Sequence, residues 1–150
     1  MRIAIASDHA GFELKEQVKI LLDARGTLWE DFGPDSGDAV DYPDFAFPLA
    51  QAVARGEFEF GILVCGTGIG MSIAANKVSG IRAALCLTPE MAAMARCHND
   101  VNILTLGERL LSLETARTIV HTFLETAFEG DRHARRVGKI TDYEEKHSVI

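Results

Sequence analysis

Short, apolar, β-branched runs alternate along the chain with longer stretches in which apolar residues recur every three or four positions. The short runs are typical of buried strands and the longer stretches of amphipathic helices. The runs predict strands over residues 3–6, 28–32, 61–65, 82–87 and 101–106. The stretches predict helices over residues 12–22, 45–55, 70–80, 90–98 and 113–128, with a short helical end after Gly130. Thr88 is expected to cap the fourth helix and Pro89 to stand in its first turn.

This alternation also predicts the architecture. Strands that alternate with helices form a parallel sheet with helices on both faces. We therefore expect an α/β fold, a Rossmann-like three-layer sandwich with a five-stranded parallel sheet, in which residues 1–150 form a single domain. In such sheets the ligand site lies at the carboxyl ends of the strands, near the point where the strand order reverses.

Charge and composition narrow the classes of partner. The formal net charge of −7 disfavours nucleic acid and anionic membranes as partners. Apolar runs stay well short of the roughly 20 residues that a membrane span needs. The three cysteines include no CxxC pair, so we expect neither a disulfide framework nor a zinc site. We expect a cytoplasmic protein instead. No cluster of residues has the ligand spacing typical of a metal site.

The most specific motif is a cysteine followed by a glycine loop. A predicted buried strand runs into Cys65, and glycines stand at positions 66, 68 and 70, before the next predicted helix. Glycines allow a sharp turn and let backbone N–H groups point at an anion. A helix N-terminus also favours the thiolate form of a cysteine beside it. The residues alone leave Cys65 open as a redox thiol, a nucleophile or a base.

Particular residues exclude several known motifs as interpretations of this loop. A phosphatase of the Cys-x5-Arg type would need arginine where Met71 stands. A GxGxxG dinucleotide motif fails at the same position, and a P-loop would need a lysine after the glycines. A hole for a small phosphate or an oxyanion remains. Cys86 and Cys97 lack such a loop and are predicted to be packing residues.

Further polar groups follow the first strand, end the fourth helix and cluster near the end of the chain. Asp8 and His9 can exchange protons or hold a phosphate, although an acid here can equally cap a helix. The segment 98–100, His-Asn-Asp, carries the same ambiguity because such residues commonly end helices. Arg132 and Arg136 are four residues apart, so on a helix they share a face that either clamps a phosphate or is simply solvated.

Taken together, these motifs resemble one family. They occur in this order: residues 8–11, 41–43, 65–70, 73–77, 80–83 and 98–100, then Arg132 and Arg136. In this combination the chain resembles the type B ribose-5-phosphate isomerases of the ribose/galactose isomerase family over essentially its whole length. The resemblance implies interconversion of ribose 5-phosphate and ribulose 5-phosphate through a cis-enediolate, in the pentose phosphate pathway, without a metal or another cofactor.

The resemblance also implies a role for each group. Cys65 matches the base that moves a proton between C1 and C2, and Met71 replaces the glutamate that part of the family uses instead. His98, assisted by Asp8, matches the group that opens the furanose ring. The backbone of the loop matches the anion hole for the enediolate, formed by Gly66, Thr67, Gly68, Ile69 and Gly70. The remaining matches are the phosphate ligands His9, Arg132 and Arg136 and the further substrate contacts Tyr42, Asn99 and Arg109.

The family forms homodimers or homotetramers whose sites lie between subunits. The resemblance therefore implies that the partner of the chain supplying Cys65 contributes His98, Asn99, Arg109, Arg132 and Arg136. Two alternatives stay open from the sequence. One is an isomerase of allose 6-phosphate or galactose 6-phosphate, and the other is a sugar-phosphate-binding or redox-sensing module without isomerase activity.

Overall fold

The computed structural model describes residues 1–147 as one parallel five-stranded sheet with helices on both faces. The strands are β1 (Arg2–Ser7), β2 (Leu28–Asp31), β3 (Phe60–Cys65), β4 (Ala83–Leu85) and β5 (Ile103–Gly107). The helices are α1 (Phe12–Ala24), α2 (Pro43–Ala54), α3 (Ile69–Ala75), α4 (Pro89–Asn99), α5 (Leu113–Glu125) and α6 (Asp131–His147). Within residues 1–147, no helix has both the length and the apolar character to cross a membrane.

Each face of the sheet has its own apolar core. Alternate strand residues point to opposite faces, so Ile3 and Ile5 pack with α1, α4 and α5, whereas Ala4 and Ala6 pack with α2 and α3. Both clusters contain residues that are completely buried. The predicted three-layer α/β sandwich is confirmed.

The order of the strands decides where a ligand can bind. The order is β2-β1-β3-β5-β4, so the direction of winding reverses between β1 and β3. Ser7 of β1 pairs with Val64 of β3, and Cys65 pairs with Gly107 of β5. The residues that follow these three strands therefore meet at the carboxyl edge of the sheet, where the sequence places the site.

Two asparagines explain why the predicted bounds around β4 and β5 are wrong. The third helix ends at Ala75 instead of near residue 80, because the Asn76 side chain donates to the Ser72 carbonyl and accepts from the Ala83 N–H, both at 2.9 Å. The Asn102 side chain accepts from the Arg82 N–H at 2.8 Å. These side-chain bonds take the place of the strand pairing that was predicted at residues 82 and 102. As a result β4 begins at Ala83 and β5 at Ile103, both later than expected.

The end of the chain also differs from the prediction. The fifth helix ends at Glu125 rather than residue 128, and the next segment crosses the end of α4, where the Glu129 N–H donates to the Cys97 carbonyl at 3.1 Å. Gly130 then turns with a φ of +72°, a conformation that glycine adopts without strain. The short helical end is in fact the 17-residue helix α6.

Candidate active site

Cys65 is the last residue of β3, and its side chain is 4% exposed. The Gly68 N–H donates to Sγ at 3.1 Å, and the Ile69 N–H donates to the Thr67 hydroxyl at 3.3 Å. Gly68 can donate in this way because the loop turns there with a φ of +78°. Two of the predicted anion-hole donors thus already have partners inside the loop, and the first of these bonds fixes the position of the sulfur.

The glycines let the loop pack closely against its surroundings. A Cβ on Gly68 would lie 2.9 Å from the carbonyl carbon of Leu106, and one on Gly107 would lie 2.5 Å from the carbonyl of Thr67. The backbone just after β5 continues this contact, since the Arg109 N–H donates to the Gly66 carbonyl at 3.0 Å. The loop is therefore held between two strand ends by backbone contacts.

The end of β1 supplies the second wall. Asp8, 8% exposed, accepts from the Gly11 N–H at 3.0 Å and so caps a short 3₁₀ turn over His9–Gly11 that the sequence did not predict. Asp8 is thus a cap, yet it also lines the same cleft as Cys65. Nδ1 of the exposed His9 lies 3.1 Å from the carbonyl oxygen of Val40 and 3.2 Å from its nitrogen, which leaves Nε2 available to a ligand.

Tyr42 and Arg109 complete a cleft of about 240 Å³ over Cys65. A Cβ on Gly70 would lie 2.9 Å from the Tyr42 ring, and one on Gly66 would lie 3.0 Å from a guanidinium nitrogen of Arg109. Both side chains therefore lie directly over the loop of their own chain. For Arg109 this corrects the expectation that the partner subunit supplies it.

A buried ion cluster holds the start of the loop between β2 and α2. Lys15 is completely buried, and its Nζ donates to both carboxylate oxygens of Asp31 at 2.9 Å and to the carbonyl of Pro34 at 2.6 Å. Burial alone would raise the pKa of Asp31, but the bonds from Lys19, Lys15 and the Gly33 N–H outweigh it and hold the pKa below its ordinary value. The cluster anchors the start of the loop that leads to Tyr42.

The structure does not bring the other predicted groups to this cleft. His98 and Asn99 end α4, which runs from the carboxyl edge back to the amino edge of the sheet. Asn99 lies beside the start of β4, where its carbonyl accepts from Arg82 at 3.1 Å. A strand as long as β5 spans roughly 16 Å. Within one chain, His98 and Asn99 therefore lie about a strand length from Cys65.

Arg132 and Arg136 stand on α6, which packs against α4. Both are exposed, and across residues 1–147 neither has a hydrogen bond or an ion pair. Their position four residues apart on one helix, predicted from the sequence, is confirmed. Two unpaired guanidinium groups in an acidic protein form a local positive surface at the amino edge.

His133 lies between these arginines and the end of α4, and the sequence analysis did not predict it as a site residue. Its ring stacks on His98 with centroids 4.3 Å apart and an angle of 15° between the planes. Burial, together with the neighbouring His98 and Arg132, lowers the pKa of His133. Residues 98 and 133 are too far apart in sequence for any local pattern to predict the stack.

The two other cysteines differ from each other. Cys86 is 1% exposed, and burial raises its pKa to about 11, so its predicted packing role is confirmed. Cys97 is only partly buried, and its thiol lies among polar groups that include His98 and Glu129. The packing role predicted for Cys97 is therefore wrong.

Known proteins are similar to this chain in both fold and sequence. The sequence profile described as ribose/galactose isomerase matches residues 3–140. Ribose-5-phosphate isomerase B of Escherichia coli is 46% identical over 147 residues, which cover 98% of this chain and 99% of that protein. The structure of Clostridium thermocellum ribose-5-phosphate isomerase B is 53% identical, with a TM-score of 0.97, and the match covers 99% of this chain and 100% of that one. A Mycoplasma genitalium ribose-5-phosphate isomerase B, solved with bound ribulose 5-phosphate, is 44% identical over 97% of each chain with a TM-score of 0.94.

Fold and comparisons together define the class, an α/β aldose–ketose isomerase. The chain belongs to the ribose/galactose isomerase family. The family predicted from the motifs is thereby confirmed.

Proposed function

We propose that this protein interconverts ribose 5-phosphate and ribulose 5-phosphate, with Cys65 as the base. The observation that carries the proposal is the position of the Cys65 sulfur: it is fixed at the end of β3 by the Gly68 N–H and lines a cleft with Asp8 and Thr67. The relative from Mycoplasma genitalium, whose structure holds ribulose 5-phosphate, supports this substrate.

In the proposed reaction the thiolate of Cys65 takes the proton from C2 of the open-chain aldose. The electron pair of that C–H bond forms the C1=C2 bond of a cis-enediolate, and negative charge collects on O1. Backbone N–H groups of the cysteine loop other than those of Gly68 and Ile69, which already bond within the loop, stabilise this charge, and a rigid donor contributes more here than in water. The Cys65 thiol then returns the proton to C1 while a proton passes from O2 to O1, which gives the ketose.

We propose further that the complete site is shared by two copies of the chain. The cleft over Cys65 contains a single arginine, Arg109, whereas His98 and the unpaired Arg132 and Arg136 lie at the opposite edge of the sheet. A phosphorylated pentose is shorter than the roughly 16 Å that a five-residue strand spans. A second subunit that presents its amino edge to this cleft would supply the ring-opening histidine, Asn99 and the phosphate ligands.

Exposed apolar side chains support this assembly. Ile69 and Ile73 on α3 are 51% and 57% exposed, and Met91 and Met94 on α4 are 39% and 48% exposed. The two helices flank β4, one of the two edge strands of the sheet, and both begin at its carboxyl edge, where the cysteine loop also lies. Apolar patches of this kind mark interfaces, and their position next to Cys65 fits an interface at the site.

The first experiment tests the reaction. The protein is incubated with ribose 5-phosphate, allose 6-phosphate or galactose 6-phosphate in deuterated water, and turnover and deuterium at C1 or C2 are measured. We expect the highest kcat/KM with the pentose and a Cys65→Ala variant with kcat lowered by about 10² to 10⁴. Cys97→Ser serves as the matched thiol control and should retain activity. Full activity of Cys65→Ala, or no exchange with any of the three sugars, would contradict the proposal.

The second experiment tests the shared site by mixing two variants that are each defective when substrate is scarce. Cys65→Ala and Arg136→Ala chains are dissociated together and reassociated, and activity is measured at a substrate concentration well below KM, where weak phosphate binding lowers the rate. If Cys65 and Arg136 of one site come from different chains, each hybrid dimer regains one native site, and random mixing restores about a quarter of the native activity. Activity that stays at the sum of the two parents would contradict a shared site.

We also place the protein in the cytoplasm. Cys65, Cys86 and Cys97 are all free thiols in the structure. A reducing compartment suits a catalytic thiol, because oxidation would block it as a base.

A further inference from the structure

The end of α4 and the segment before α6 bring together a thiol, an imidazole and a carboxylate. One ligand atom from each of Cys97, His98 and Glu129 lies within 4.8 Å of the other two. The backbone fixes this meeting, because the Glu129 N–H donates to the Cys97 carbonyl at 3.1 Å. The residues that carry the thiol and the imidazole, Cys97 and His98, are adjacent in sequence, but Glu129 is 31 positions after His98. The spacing along the chain therefore does not reveal the cluster.

A fourth group points to the same place. His133 is 6% exposed, and its Nε2 has no hydrogen-bond partner among the described residues. That nitrogen lies 3.6 Å from a carboxylate oxygen of Glu129, while the ring stacks on His98. A buried, unsatisfied imidazole nitrogen is uncommon in folded proteins and needs an explanation. A cation held by Glu129, with a bound water, would provide the missing partner.

The donor set selects the kind of ion. Thiolate, imidazole and carboxylate are the ligands that Zn²⁺ and related transition ions prefer, whereas Mg²⁺ and Ca²⁺ prefer oxygen alone. In a tetrahedral zinc site, sulfur and nitrogen ligands are about 3.6 Å apart. The Glu129 side chain is 56% exposed, so rotation about its side-chain bonds can bring the carboxylate closer to the other two ligand atoms. Thiolate and carboxylate together also balance the charge of a divalent ion.

From these observations we propose that Cys97, His98 and Glu129 form a binding site for Zn²⁺ or a chemically similar transition ion, and that the bound ion inhibits the isomerase. Binding does not depend on the function proposed above. Inhibition does rest on it, because a metal-bound His98 can no longer exchange a proton with the sugar ring. The site would make this enzyme sensitive to free transition metal ions.

The binding experiment uses cobalt(II) as a spectroscopic probe on the reduced, full-length Cys65→Ala protein, which lacks the active-site thiol. We expect one equivalent of cobalt per chain, with a thiolate-to-cobalt charge-transfer band that Zn²⁺ abolishes by displacement. Adding Cys97→Ser should remove the band and weaken zinc binding by more than about tenfold. Adding Cys86→Ala, which removes the other remaining thiol, should leave both unchanged. No band in the Cys65→Ala protein, or a band that survives Cys97→Ser, overturns the site.

The inhibition experiment uses the enzyme with Cys65 intact. We expect Zn²⁺ to inhibit it reversibly, with recovery upon chelation, and Cys97→Ser and Glu129→Gln each to raise the inhibitory zinc concentration by more than about tenfold while basal turnover stays unchanged. An exposed glutamate elsewhere, changed as Glu114→Gln, is the matched control and should behave like the native enzyme. Equal inhibition of native and Cys97→Ser proteins would overturn the inhibitory role and assign it to Cys65. A cobalt band in a protein without isomerase activity would leave the metal site standing while the proposed function fails.

Discussion

At the carboxyl edge of the sheet the functional groups are fixed by backbone, whereas at the amino edge they stand on the surface of helices. Cys65 is held by an N–H of its own loop, and the loop is held by the ends of β3 and β5. Arg132 and Arg136 at the other edge are exposed and make no hydrogen bond or ion pair within residues 1–147.

This difference matches the demands of the two tasks. Proton transfer and oxyanion stabilisation need atoms placed to a fraction of an ångström, because the developing charge has to meet donors that are already in place. A phosphate far from the reacting carbons needs only strong, adaptable charge. Substitutions that disturb the backbone at the carboxyl edge should therefore lower kcat most strongly. Side-chain deletions at the amino edge should mainly raise KM.

The largest effect is expected for Gly68→Ala. The residue has a φ of +78°, and an added Cβ would lie 2.5 Å from a methyl carbon of Leu85 and 2.9 Å from the Leu106 carbonyl carbon. The conformational cost is about 1 kcal/mol, and the contact with backbone adds about 2 kcal/mol. Because the Gly68 N–H also positions the sulfur, kcat should fall by about a hundredfold or more. Urea denaturation and steady-state kinetics measure the two effects.

Gly56→Ala is the matched control for this variant. Its φ of +75° is nearly the same, but a Cβ there would have no atom within 4 Å. It should lose only the conformational part of the stability, about 1 kcal/mol, with unchanged kcat. If both variants lose the same stability and Gly68→Ala stays active, the close packing of the loop has no role in catalysis.

The next effect is on stability, through the buried ion cluster. Asp31→Asn would take away the carboxylate at 2.9 Å from Nζ of the fully buried Lys15 and leave only that of Glu16, at 3.6 Å, and we expect the free energy of unfolding to fall by about 3 kcal/mol. The folded state holds the pKa of Asp31 below its ordinary value of 3.8, so the carboxylate stabilises the fold above that pH and progressively less as the pH falls through the folded pKa. The difference between native protein and variant should therefore be full at neutral pH and shrink in acid.

The exposed pair Arg55 and Glu57 provides the comparison for this measurement. Both side chains are largely in solvent, and their bond lies on the surface. Glu57→Gln should change the urea midpoint little at any pH, since exposed pairs contribute little to stability. A loss as large as that of Asp31→Asn would show that burial of Lys15 is not the cause.

A smaller effect, on binding, is expected at the amino edge. Arg136→Ala should raise KM by about tenfold with kcat nearly unchanged, because phosphate is held equally in ground and transition states. Arg135→Ala removes the same charge from the neighbouring position and should change KM much less. Equal effects of the two variants would mean that the surface attracts substrate by charge alone, without a specific contact.

Local patterns predicted most of the fold and the carboxyl edge of the site. Apolar periodicity revealed every strand, and the run from Cys65 through the glycines is contiguous, so one stretch of sequence contains most of that wall. The limits arise where distant side chains decide the structure. Asn76 and Asn102 replace strand pairing, Lys15 is buried within a helix that reads as amphipathic, and Glu129 reaches Cys97 through a segment predicted as helix.

The smallest expected effect is that mixing Arg109→Ala chains with Cys65→Ala chains restores no activity. The resemblance places this arginine on the partner subunit, but its guanidinium lies over Gly66 of its own chain. Mixing Cys65→Ala with Arg109→Ala chains should therefore give no native site in any hybrid dimer, and activity should not exceed the sum of the parents. The mixture of Cys65→Ala with Arg136→Ala, expected to regain about a quarter of the activity, shows in parallel that hybrids form. Recovery to a similar level with Arg109→Ala would place the guanidinium in the partner's site, and the carboxyl edge of one chain would then contribute no cation to its own cleft.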